Sequence, residues 1–163
     1  MALVNQSRLA EAKHELGELQ EVLNDSSLLI PFTPFSPAIE GARVAENILA
    51  GTIALKELNY SKAIDLFKIA VNTDENMVYQ EPRDWMLNAK HFLADAYLKS
   101  GQPSAARMIL EKDLAYNNEN GWALKGIWQS YIAEKKLKEA AIVLKRFQKA
   151  FEKSDIKLDG PVL

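Results

Sequence analysis

The stretch LADAYLKSGQPSAARMIL, Leu93 to Leu110, reads as the end of one helix, a joint, and the start of another. Gly101 suits a helix C-terminus, because glycine takes the left-handed backbone that ends a helix. Pro103 suits the first turn of the next helix, where its missing N–H costs nothing. Small residues such as Ala94 and Ala106 let two helices approach closely, and the large residues fill the gaps between them.

The pattern recurs. Placing Ala106 on Ala140, an offset of 34 residues, puts Leu93 on Ile127, Tyr97 on Tyr131 and Leu110 on Leu144. An earlier segment matches more loosely through Gly51, Ala63, Phe67 and Ala70. The chain therefore resembles the tetratricopeptide repeat family, whose helix pairs recur every 34 or so residues. A narrower resemblance, over about residues 48–158, is to the C-terminal end of long bacterial multi-repeat proteins of that family; it carries the segments EPRDW, LADAYL, DLAYNNENGWALKGIWQS and RFQKAF. The resemblance implies an all-α, right-handed α-α superhelix of three helix pairs plus one N-terminal helix. It also implies a protein- or peptide-binding scaffold with no cofactor. Two residues depart from the family pattern: Trp128 stands where a small residue is usual, and so does Asp113. The spacing from Ala63 to Ala106 is 43 residues, nine more than one repeat, so an enlarged loop is expected there.

Outward from the repeats, Leu9, Ala12, Leu16, Leu19 and Leu23 recur at three and four and form one helical stripe. The expected order is a packing helix over 1–24, a Pro-rich connection over 25–36, and helix pairs over 37–74, 84–117 and 121–154. The enlarged loop covers 75–83 and a tail 155–163. Prolines 31, 34 and 37 exclude helix from the connection. Ser36 and Pro37 read as cap and first turn of the next helix, and Asn120 as another N-cap. The first repeat presents Ile48, Leu49 and Leu55, an apolar face expected to lie under the N-terminal helix. The tail from Asp155 is expected to lie along the last helix or to be disordered.

The 163 residues are 48% apolar and 26% charged, enough for a sizeable core and ordinary for a water-soluble domain. A net charge of −2 lacks the basic face that nucleic acid requires. With no cysteine, disulfides and thiol chemistry are excluded. No apolar run is long enough to span a bilayer, so neither nucleic acid nor membrane is an expected partner. The opening MALVNQSRLAEAKHEL does not have the form of a signal peptide. A cytoplasmic location is the default expectation, with export if a parent chain carries a signal upstream.

Two places are candidates for a site. The loop segment MVYQEPRDWM gathers Tyr79, Glu81, Arg83, Asp84 and Trp85, a candidate binding rim. The plainer reading has Tyr79 and Trp85 covering the joint while Glu81 and Asp84 serve a helix N-terminus. The second candidate is the face of the first helix in each pair, which in the family lines the concave side. Asn88, His91, Asp95 and Lys99 share one such face by spacing, as do Trp122, Lys125 and Gln129. Lys99 and Lys125 would meet an acidic group and Trp122 would add apolar area. The plainer reading here is a solvated polar face with an internal His91–Asp95 pair.

Glu81, Asp84, His91 and Asp113 lack metal-ligand spacing, so no metal is expected. No nucleophile elbow or phosphate loop is present, and a His91–Asp95 dyad lacks a nucleophile and an oxyanion hole, so no catalytic residue is assigned. Two alternatives stand beside the peptide-binding scaffold: a structural cap ending a longer array with no ligand of its own, or small-molecule or metal binding near the 77–86 loop.

Overall fold

The structure, a computed structural model, describes residues 1–31, 35–78 and 86–162. Among them are eight α-helices, one short 3-10 helix and no strand, so the protein is all-α as expected. The chain divides into two compact units, Met1–Ala89 and Lys90–Leu163.

In the first unit, α1 (Ala2–Asn5) and α2 (Leu9–Val22) precede a 3-10 turn at Ser26–Leu29. Next come α3 (Ala38–Lys56) and α4 (Tyr60–Asn76), which pack on each other. The single N-terminal helix expected over 1–24 is thus two. Ser7 takes a left-handed φ of 61°, and the turn there lets Val4 pack in one cluster with Ala12 and Ile53. Leu3, Leu9, Leu16 and Leu49 close around that cluster. The apolar face of α3 is covered by α1 and α2 where Leu49 lies, as the sequence suggested. Lys13–Glu57 at 2.6 Å and Gln20–Glu46 at 2.9 Å fasten the rim of the same contact. Gly51 of α3 faces the ring of Phe67 on α4, which is wholly buried.

Ser36 does not cap α3. The N-cap is Pro37, with no side-chain cap bond, and the Ser36 hydroxyl instead accepts the Val78 N–H at 2.8 Å. That bond ties the entry of α3 to the exit of α4.

The second unit holds α5 (Ala89–Lys99, entering across the boundary), α6 (Pro103–Tyr116), α7 (Gly121–Ala133) and α8 (Leu137–Ala150). The helix expected from Asp84 starts later. Met86 and Leu87 bend, Asn88 is not helical, and α5 begins at Ala89. Asn88 is a residue type favoured just before a helix. Asn120 caps α7 as expected, accepting the Trp122 N–H at 3.0 Å. The core joins Ala94, Ala106, Leu110, Ala123, Leu124, Ile127 and Val143. Ala106 and Ala140 are both buried, as the repeat register requires.

The helix joints are also alike in the backbone: the turn at Ser7 has the same geometry as three later ones. At Leu58, Gly101 and Lys135 φ is 62°, 75° and 58°. In each, the residue after the left-handed one donates to a carbonyl five back: Asn59 to Ala54, Gln102 to Tyr97, Lys136 to Tyr131. The left-handed residue itself donates three back, to Leu55, Leu98 and Ile132. This pair of bonds is the Schellman ending of a helix, and it turns each chain segment straight into the next helix.

Candidate functional site

Two polar arrangements stand out in the second unit. The first surrounds Asp113, which is 1% exposed. Its Oδ2 lies 3.0 Å from His91 Nε2 and accepts from Asn120 Nδ2 at 3.1 Å. Its Oδ1 accepts from Asn117 Nδ2 at 2.7 Å. One carboxylate on α6 therefore gathers α5, the end of α6 and the cap of α7. A buried charge persists only when it is hydrogen-bonded in this way. The internal His91–Asp95 pair expected from spacing is not what forms. His91 meets Asp113, and Asp95 accepts from Lys99 Nζ at 2.6 Å. Helical spacing sees neighbours on the same helix, whereas the carboxylate that reaches His91 comes from the next one.

The second arrangement is made by the tail. Leu158, Gly160 and Pro161 are buried. The tail neither runs along the last helix nor is disordered: it folds back over α7 to reach α5. Gln129 Nε2 donates to the Asp159 carbonyl at 2.6 Å. Pro161 seats on Gly126, where an added Cβ would lie 3.0 Å from Pro161 Cβ and 2.5 Å from Leu110 Cδ1. A glycine inside α7 costs about 1 kcal/mol of helix stability, and these two close approaches are what require it. At Gly160 an added Cβ would lie 3.7 Å from both Asp95 Oδ1 and Gln129 Oε1. Burial raises the Asp95 carboxyl above its ordinary range, against the opposing pull of Lys99. Gln129 Oε1 is buried with no hydrogen-bond partner.

The residues expected to share a groove divide accordingly. Asp95 and Gln129 both line the seat of Gly160. Lys99 stays about half exposed beside Asp95. His91 is buried, not open to a ligand face. Asn88 is half-buried just ahead of α5. Trp122 meets the Phe151 ring edge-on at 6.2 Å between centroids. The ammonium of Lys125 lies 4.6 Å over the Trp128 ring and 5.6 Å from that of Phe147. Trp128, the bulky departure from the repeat pattern, thus supplies the aromatic face that Lys125 covers. The loop candidates Tyr79, Glu81, Arg83, Asp84 and Trp85 lie outside the described residues.

Sequence reasoning missed Leu158, Gly160, Pro161 and Gly126. The available signals were a glycine in mid-helix and a Gly-Pro step after an apolar residue in the tail. Among the described residues no group of three or more His, Asp or Glu could hold a metal, and no helix is long and apolar enough to cross a membrane. No protein-family model matches the chain, and neither a curated protein nor a solved structure does.

Proposed function

We propose that the chain is a non-catalytic, tetratricopeptide-like helical scaffold that binds a protein or peptide partner on the α5–α7 face. The observation that carries this reading is the tail. A segment that bends at residues 159–161, with a buried apolar residue before the bend, a backbone carbonyl held by Gln129 and a buried proline, is what a peptide ligand on that face would look like. A hydrogen bond to one main-chain carbonyl would fix such a ligand's register, and the pockets for its side chains would give selectivity. Lys99, half-exposed and paired with Asp95 at 2.6 Å, would be the cation to meet an acidic side chain of the partner.

The test uses the full chain carrying Leu158→Asp and Pro161→Asp, which dislodges its own tail. A labelled peptide spanning residues 157–163 should bind this variant with saturable anisotropy and bind the parent more weakly, because the parent's tail competes. No binding to a variant that keeps the parent's helical signal would refute the reading. A second reading, a structural cap with no ligand of its own, is favoured by the outer face of α8, where Lys138, Glu139, Lys145, Arg146 and Lys149 are all exposed. It anticipates that failure.

A further inference from the structure

The tail fills its seat incompletely. Gln129 gives its Nε2 to the Asp159 carbonyl, and this fixes the orientation of the amide, since the reverse would set two oxygens against each other. Its Oε1 is left buried without a donor. A buried acceptor in that state carries a desolvation cost that a correctly placed donor would remove. Gly160, where an added Cβ would lie 3.7 Å from that oxygen, has no side chain to offer, and Pro161 after it has no N–H.

The space for a donor is there. A Cβ at Gly160 would meet no atom closer than 3.7 Å, and the two atoms at that distance are both acceptors, Gln129 Oε1 and Asp95 Oδ1. A hydroxyl one bond beyond that Cβ reaches an ordinary O–H···O distance of about 2.8 Å to either oxygen. Gly160 is not in the left-handed backbone region, so an L side chain is compatible with its conformation.

We propose that the α5–α7 seat selects a partner peptide that bends as the tail does at residues 159–161, with a large apolar residue, any residue, serine or threonine, then proline. The chain's own tail, with glycine at the third place, is then a weaker occupant that such a partner displaces. This rests on the peptide-binding reading above and adds the chemistry of the ligand. The apolar residue takes the place of Leu158, and the second residue needs only its carbonyl, for Gln129 Nε2. The hydroxyl answers Gln129 Oε1, with Asp95 as the alternative acceptor. The proline lies on the bare backbone of Gly126. Acceptors on both sides of the third position also disfavour an acidic side chain there.

The experiment compares two labelled peptides on the full chain bearing Leu158→Asp and Pro161→Asp: residues 157–163 as they stand, and the same peptide with Gly160→Ser. One added hydrogen bond corresponds to roughly fivefold to tenfold tighter binding. Adding Gln129→Met to the protein should reduce the preference, and Gln129→Met together with Asp95→Ala, which removes both acceptors, should abolish it. Equal binding of the two peptides, or tighter binding of the glycine peptide, overturns the donor selectivity and leaves the peptide-binding reading standing. Binding of neither peptide to a folded variant overturns both. Should the double substitution prevent folding, Gly160→Ser in the otherwise unchanged chain decides the matter. It should raise the melting temperature and slow tryptic cleavage after the exposed Lys157. An unchanged or lowered melting temperature, with unchanged cleavage, overturns the proposal.

Discussion

Gly51→Ala should destabilise the protein although it improves the intrinsic helix propensity of α3. A Cβ at Gly51 would sit 2.5, 2.8 and 2.9 Å from three atoms of the Phe67 ring, where carbon atoms prefer about 3.5–4.0 Å. The ring has to recede by about an ångström, and it is wholly buried. Overpacking of this kind costs about 1–3 kcal/mol, and three contacts at once place Gly51 in the upper part of that range. Against it stands a gain of about 1 kcal/mol from replacing glycine in a helix interior. The net expectation is a loss of about 1–2 kcal/mol. Gly17→Ala in α2 is the matched control, because nothing lies within 4 Å of its added Cβ. There the propensity gain acts alone and should stabilise by about 0.5–1 kcal/mol. Both sites belong to the Met1–Ala89 unit, so the same urea transition, followed by helical circular dichroism, reports on both. Combining Gly51→Ala with Phe67→Leu should recover more stability than additivity allows, since the two residues touch. If Gly51→Ala is as stable as the parent, or if the two glycine variants agree within about 0.5 kcal/mol, the close approach of α3 and α4 is not as described.

Further perturbations test the second unit. Asp113→Ala removes the acceptor shared by His91, Asn117 and Asn120. It should cost about 3–5 kcal/mol, read as a shift in the urea midpoint, because buried partners are left behind. Lys135→Gly places glycine where φ is 58° at an exposed joint. Relief of the left-handed strain should outweigh the added chain entropy and stabilise by about 0.5–1 kcal/mol. Asp95 has a folded pKa raised by burial, so the native state holds a proton that the unfolded chain has already released. That contribution is fully present below the ordinary aspartate value of about 3.9 and is lost as pH rises through the higher folded value. Asp95→Asn should therefore gain stability relative to the parent with rising pH in a series of melts; a constant difference would contradict the burial argument.

The helix pairs were legible because their signals are local. Gly101 and Pro103 announced one joint, and Ala106 and Ala140, expected at helix contacts, are both buried. The two sister joints were silent, because Leu58 and Lys135 take the same left-handed backbone without being glycine. Here the tertiary requirement to turn into the next helix overrides local preference. The break at Ser7 was hidden for a similar reason: Val4 turns back to meet Ala12 and Ile53, a preference visible only once α3 is in place. In the site, spacing put Asp95 and Gln129 on candidate faces, and both do line the seat of Gly160. It paired His91 with the wrong carboxylate, because same-helix spacing carries no information about Asp113 on α6. The tail escaped because its seat is made by an absence, the missing side chain of Gly126, and by contacts spanning more than thirty residues of sequence, from Gly126 to Pro161.

Asp113 and Gly126 both break the local rules for helix interiors, one by burying a charge and the other by lacking a side chain. Natural chains concentrate such violations where function demands them. The two serve one construction. The carboxylate of Asp113 ties His91 on α5 to Asn120 at the start of α7. The tail then crosses those same two helices farther along, at Asp95 and Gln129. A seat between two helices selects a ligand only if their separation is fixed, because a shift of about an ångström moves a donor out of hydrogen-bond range. A purely apolar contact at Asp113 would hold α5 and α7 together with less directional restraint, since hydrophobic attraction is non-directional. The buried polar cluster supplies that direction about one turn along α5 and about two and a half turns along α7 from the place where Gly160 would meet its two acceptors.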